Sequence, residues 1–168
     1  MPSSTSTTVL DLGIGVAIGY CSGKVMDKAT GWFLERQSEA SRRREEEIAP
    51  GGVPELAGKR LARLVGGDAT DAEAARIGLF VYGALRLAYG IGAAALVRAS
   101  IPPMRAAIMT GAAAFLVVDE GVNSTLFTPP PQAYPIESHL RGVVGHIAYG
   151  VAAGAMLAVV HRLGVMGP

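Results

Sequence analysis

Apolar residues collect in four stretches of the chain, with polar and charged residues concentrated between them. The first stretch runs from about Val9 to Met26, with Asp11 and Lys24 bracketing its apolar part. The second, from about Ala74 to Val97, is interrupted only by Arg76 and Arg86, and the third runs from about Ala106 to Val118. The fourth, Gly142 to Val160, contains no Asp, Glu, Lys or Arg. A helix that crosses a bilayer needs roughly 20 predominantly apolar residues, and about 17 suffice. The fourth stretch meets that length unaided, whereas the first and third need Lys24 and Arg105 to reach toward the interface. The pattern therefore predicts an all-α protein, a four-transmembrane-helix bundle with spans at about 9–26, 74–97, 106–118 and 142–160 in one integral membrane domain over 1–168.

The stretch over about 27–70 is polar and asymmetric. It carries Lys28, Arg36, Arg42, Arg43, Arg44, Lys59, Arg60 and Arg63, whereas the N-terminal tail has no base and the turn after the second span has only Arg98 and Arg105. Basic residues concentrate in cytoplasmic loops, so this connection and the loop after Asp119 are expected on the cytoplasmic side, with both termini outside. Trp32 and Phe33 fall where an interfacial aromatic belt would lie. Glu35, Arg36, Glu39, Arg42, Arg43, Glu46 and Glu47 then offer opposite charges at helical spacing, which predicts a helical extension of the first span. Pro and Gly residues over Ala49–Pro54 end it, and a short amphipathic helix follows over Glu55–Val65. Gly66 and Gly67 break that helix before Asp68 or Thr70 caps the second span.

Composition sharpens this picture. Half of the 168 residues are hydrophobic, only 17% are charged, and 22 are glycine without any Gly-X-Y period, which excludes collagen and long-range disorder. Aromatics are only 6%, so the apolar content is mostly small residues, as in closely packed membrane helices. A net charge of +1 gives no field that would draw the chain to nucleic acid. The single Cys21 has no partner for a disulfide or a zinc site and, in its apolar run, reads as a buried inert thiol. No base precedes the first apolar stretch, so it reads as a retained span and not as a cleaved secretory leader.

Gly15, Gly19 and Gly23 recur every four residues, and Gly150 and Gly154 repeat the spacing. Small residues one turn apart let helix backbones approach, within one chain or between copies in a homo-oligomer. A faint internal repeat accompanies them. Met26-Asp27-Lys28 and Val118-Asp119-Glu120 end the first and third stretches, and aligning Tyr82 with His146 pairs Ala88 with Ala152 and Gly90 with Gly154. Two helices per unit make this a parallel repeat about an axis along the membrane normal.

The densest chemistry lies after the third stretch. Asp119 and Glu120 end an apolar helix, a Gly- and Pro-rich turn follows, and Glu137, His139, Arg141 and His146 come next. Ionisable groups in membrane segments are costly and usually face the interior or a cavity. Arg86, Asp119, Glu120, Arg141 and His146 are thus candidates for a polar pocket between helices. In the structural alternative Asp119 or Glu120 pairs with Arg141 and pins the loop, and Arg86 pairs with Asp11. His146 suits a proton relay or a hydrogen bond to a neighbouring helix. His139 lies two turns before it, about 10 Å away, so the two cannot share a metal from that helix alone. Walker, GxSxG, HExxH and CxxC motifs are missing from the sequence, and no cofactor, metal or catalytic residue is predicted.

The Gly-rich first helix (Gly13 to Gly23), together with Thr128-Pro129-Pro130, Pro135, Glu137 and Gly145-His146, resembles the YagU-type family of small multi-pass bacterial inner-membrane proteins. The resemblance implies a bacterial inner-membrane location and supplies no catalytic residues. Two functions follow as expectations. One is a non-enzymatic scaffold or accessory protein that meets the lipid bilayer and a protein partner. The other is a small-solute or proton-linked transporter or channel unit built on the polar pocket.

Overall fold

The structure, a computed structural model, describes the backbone of residues 4–166 and the side chains of residues 9–122 and 126–166. Its elements in chain order are α1 (Ser4–Arg36), α2 (Glu39–Ile48), α3 (Val53–Leu64), α4 (Asp71–Arg98) and α5 (Pro103–Ala113). A π-helical stretch over Ala114–Phe127 follows α5 without a break, then a 3-10 turn over Pro131–Ala133 and α6 (Ile136–Arg162). The described chain is all-helical, and three of its helices, Val9–Arg36, Asp71–Arg98 and Ile136–Arg162, are long and apolar enough to cross a membrane. The third apolar stretch departs from the expected span at 106–118. It is an eleven-residue α-helix whose backbone switches to i→i+5 bonding and runs on to Phe127.

Local chemistry explains the boundaries. At the end of α1, Arg36 donates to the Trp32 carbonyl at 2.9 Å and its guanidinium lies 4.2 Å from the Trp32 ring. The expected continuous extension breaks at Gln37–Ser38, where the Ser38 hydroxyl accepts from the Ser41 amide at 3.2 Å and starts α2. Gly51 and Gly52 hold φ of 75° and 86°, a conformation that only glycine adopts without strain, so the chain reverses between α2 and α3. Thr70, not Asp68, caps α4, with Glu73 completing a reciprocal capping box.

The long helices pair as antiparallel hairpins through small residues. A Cβ on Gly19 would lie 2.6 Å from the Arg86 carbonyl oxygen and 2.8 Å from Leu87 Cα, so α1 and α4 meet backbone to backbone. In the second hairpin a Cβ on Gly111 would lie 2.9 Å from the His146 carbonyl oxygen, one on Gly150 3.3 Å from that of Ala107, and one on Gly154 3.1 Å from Met104 Cα. Gly15 likewise abuts Ile91, while Gly23 accommodates the Arg86 side chain. The glycine faces are thus used inside the chain. Ala93, Ala94, Ala106, Ala107, Tyr149, Ala153 and Leu157 fill the core between hairpins, and Met26 and Thr30 of α1 cover Gly145 of α6.

In each hairpin a glycine of the first helix lies against the carbonyl of a basic residue of the second, Gly19 against Arg86 and Gly111 against His146. The sequence around Arg86, Arg-Leu-Ala-Tyr-Gly to Gly90, matches that around His146, His-Ile-Ala-Tyr-Gly to Gly150. Cys21 is exposed on the outer face of α1, not buried as its apolar run suggested. Leu79, Phe80, Leu116, Val117, Ile147 and Val159 are also exposed on the outside of the bundle, as a lipid-facing surface requires.

Candidate functional site: a polar cavity between the helices

At the polar end, each hairpin bonds an aspartate of its first helical segment to a basic residue of its second. Asp27 of α1 is 2.7 Å from Arg86 of α4, and Asp119 of the π-helical stretch is 2.9 Å from His146 Nε2 of α6. The aromatic residues one turn further along, Tyr89 and Tyr149, meet edge to face with centroids 6.0 Å apart. The Tyr149 hydroxyl donates to the Arg86 carbonyl at 2.8 Å, tying the two second helices together. Beyond them the bundle closes on alanine and glycine. On the other side, toward the end bearing α2, α3 and the loop over 128–135, it opens.

A cavity of about 360 Å³ occupies this polar end, with walls from α1, α3, α4, the π-helical stretch and α6. Arg86, Asp119, Glu120 and Arg141 all line it, together with Met26, Tyr82, Gly83, Phe115, Tyr134 and His139. The i→i+5 bonding contributes directly, because it places both Asp119 and Glu120 about one turn on from Phe115, and all three face the cavity. His146 does not line it. The ring is only 4% exposed and stands behind Asp119, between Tyr89 and Phe115.

The ion pairs differ from those expected. Arg141 bonds neither Asp119 nor Glu120. Its guanidinium donates twice to Glu45 of α2 at 3.0 Å and once to the Gln37 side-chain oxygen at 2.6 Å. Ser138 and Gln37 also donate to Glu45, which places this carboxylate at the centre of a network holding α2 against the start of α6. Glu120 is bonded to His139 Nδ1 at 2.7 Å, and His139 Nε2 faces the Pro131 carbonyl at 3.1 Å. Arg86 pairs with Asp27 and not with Asp11, which bonds Arg98 at 2.6 Å at the opposite end. Burial pushes the Tyr134 hydroxyl above its ordinary range, partly opposed by a hydrogen bond with Thr128.

A second space of about 530 Å³ lies under α2 and shares Thr30, Val53, Pro54, Tyr134 and Arg141 with the first. The Arg141–Glu45 pair stands where the two meet. Among the described residues no group of three His, Cys, Asp or Glu side chains is placed to hold a metal ion. Sequence reasoning brought four of the five candidate residues to one cavity but missed Asp27, Glu45 and Gln37. The Asp27–Asp119 correspondence was a usable signal for the first; Glu45 sits in a run of three glutamates that nothing in the sequence distinguishes. Comparison with known protein families, characterised proteins and solved structures finds no match to this chain.

Proposed function

We propose that the chain is a small-solute transport unit of the bacterial inner membrane, with its solute site in the cavity at the polar end. The observation that carries this reading is the convergence of Arg86, Asp119, Glu120 and Arg141 on one space of about 360 Å³. Ionisable groups at membrane depth are tolerated where they face a cavity and one another. A scaffold needs no such space, and a pair pinning a loop needs no lining of Tyr82, Phe115 and Tyr134 around it.

In this reading α5 and the π-helical stretch together supply the fourth span, and the two hairpins are a tandem repeat about an axis along the membrane normal. The basic residues of α2 and α3 support an orientation with the cavity mouth on the cytoplasmic side and both termini outside. The resemblance to YagU-type proteins agrees with a multi-pass inner-membrane protein. The chain works without catalytic residues, on the solute and not on a bond.

Gly83 tests the site, because it lines the cavity and a Cβ there would meet nothing within 4 Å. In a Cys21→Ser background, Gly83→Cys is expected to react with a membrane-impermeant thiol reagent from the cytoplasmic side only. A thiol that reacts from neither side, yet does so after denaturation, would show a closed, dry interior and overturn the proposal.

A further inference from the structure

Glu45 occupies a site that other elements build. Both of its carboxylate oxygens are filled: Arg141 bonds Oε2 twice at 3.0 Å, while the Gln37 side-chain amide, at 2.6 Å, and the Ser138 hydroxyl bond Oε1. None of these donors lies on α2. Ser138 and Arg141 stand on the first two turns of α6. Gln37 is only 3% exposed and closes the end of α1, where its backbone amide still bonds the Leu34 carbonyl at 3.2 Å. Arg141 also donates to the Gln37 side-chain oxygen at 2.6 Å, which fixes these donors relative to each other. The bundle thus supplies a cradle of the kind that recognises a planar carboxylate.

The helix that brings Glu45 there has little else to hold it. Ile48 is the one large apolar residue of α2, and of its ten residues only Ser41 is buried. The chain breaks on both sides of it, at Gln37–Ser38 and at Gly51–Gly52. Glu137 accepts from the Ser38 amide at 2.7 Å and from its hydroxyl at 2.8 Å, which fixes the first break against α6. Segments with few buried apolar contacts open at low cost in free energy. Opening uncovers the donors where two spaces meet, because Arg141 and Tyr134 line both the cavity and the space under α2.

We propose that Glu45 stands in for the solute: the cradle of Gln37, Ser138 and Arg141 anchors a monocarboxylate with an apolar body, which displaces Glu45 and lifts α2 when it binds. The inference rests on the cavity being the solute site. One carboxylate replaces another, so every donor stays satisfied and no buried charge is left unpaired. The body of the acid enters the cavity, whose walls include Met26, Tyr82, Phe115 and Tyr134. Arg86 is the poorer anchor. Its partner Asp27 stands on α1, which packs backbone to backbone on α4 and cannot withdraw as α2 can.

Benzoate is the probe. Calorimetric titration of the purified full chain in detergent at neutral pH is expected to show binding. Glu45→Gln removes the competing carboxylate and keeps the cradle. It is expected to tighten binding about tenfold, since apparent affinity scales with the fraction of chains whose site is open. Glu47→Gln removes the same charge from the exposed side of α2 and is expected to leave binding unchanged. Arg141→Met is expected to abolish it. Benzoate is also expected to speed amide exchange over Glu39–Ile48 in the unaltered chain, with the core of α1 unaffected. If Arg141→Met does not fold, Glu45→Gln and the exchange of α2 decide. Binding that Glu45→Gln leaves unchanged or weakens, or that leaves α2 as protected as before, overturns the inference. Inorganic phosphate or benzyltrimethylammonium bound in preference to benzoate overturns it too but leaves the cavity as a solute site. No binding of any of these probes overturns the carboxylate anchor while Gly83→Cys still labels; if that thiol is also unreactive, the cavity reading falls with it.

Discussion

Replacing Gly19 by alanine forces α1 and α4 apart at their closest approach. The new Cβ would lie 2.6 Å from the Arg86 carbonyl oxygen, 2.8 Å from Leu87 Cα and 3.1 Å from the Leu87 carbonyl oxygen. All three are backbone atoms, so no side-chain rotation relieves the clash. Reaching the 3.4 Å of ordinary van der Waals contact requires about 0.8 Å of separation at this point. Gaps of that order forfeit a quarter to a half of each dispersion contact they open, and overpacked cores lose roughly 1–3 kcal/mol. The same Arg86 carbonyl accepts the Tyr149 hydroxyl, so the displacement also presses on the link between α4 and α6. Alanine gains back up to about 1 kcal/mol of helix propensity, which leaves a net loss of up to about 2 kcal/mol. Gly13→Ala on the same helix is the control, because a Cβ there meets nothing within 4 Å and only the propensity gain remains. The propensity gain is common to both variants, so equilibrium unfolding in mixed detergent–SDS micelles, followed by circular dichroism, should separate them by the overpacking cost, roughly 1–3 kcal/mol. Equal stability of the two would refute the backbone-to-backbone packing of the first hairpin.

Two further predictions test other parts of the fold. Arg141→Met removes the bidentate bond to Glu45 and leaves that carboxylate, only 18% exposed, with neutral donors alone, at an expected cost of about 2 kcal/mol. Amide exchange over Glu39–Ile48 should speed up while exchange in the core of α1 stays slow; unchanged protection of α2 would mean that the network does not hold it. Cys21 lies on the outer face of α1 among Val16, Tyr20 and Val25. In intact membranes it should be inert to a membrane-impermeant maleimide from both sides and reactive after solubilisation in SDS, and rapid labelling in the bilayer would place that face in water.

The sequence made the three long helices and the interhelical glycines readable because both rest on composition and on one-turn spacing, which chain position alone determines. Arg86, Asp119, Glu120 and Arg141, singled out because charged residues bordering apolar stretches have few places to go, all line one cavity. Their partners were another matter. Which carboxylate Arg141 meets depends on how α2 folds back after Gln37, and that reversal is set by the Ser38 cap and by the glycines at 51 and 52, not by any pattern of charge. The π-helical stretch was equally hidden. Its residues look like an ordinary apolar helix, and only the backbone reveals the bonding that turns two successive carboxylates into one cavity.

The register of the repeat shows how the two kinds of information combine. Small residues align Tyr82 with His146 almost as well as Arg86 with His146, because alanine and glycine recur every few positions on both helices. Backbone contact removes the ambiguity. Gly19 and Gly111 each lie against the carbonyl of the basic residue in their own hairpin, Arg86 in one and His146 in the other. Asp27 and Asp119 are matching positions in the proposed repeat, and their partners differ: a guanidinium in the first hairpin and an imidazole in the second. The guanidinium also lines the cavity, whereas the imidazole stands behind Asp119 with its Nδ1 buried.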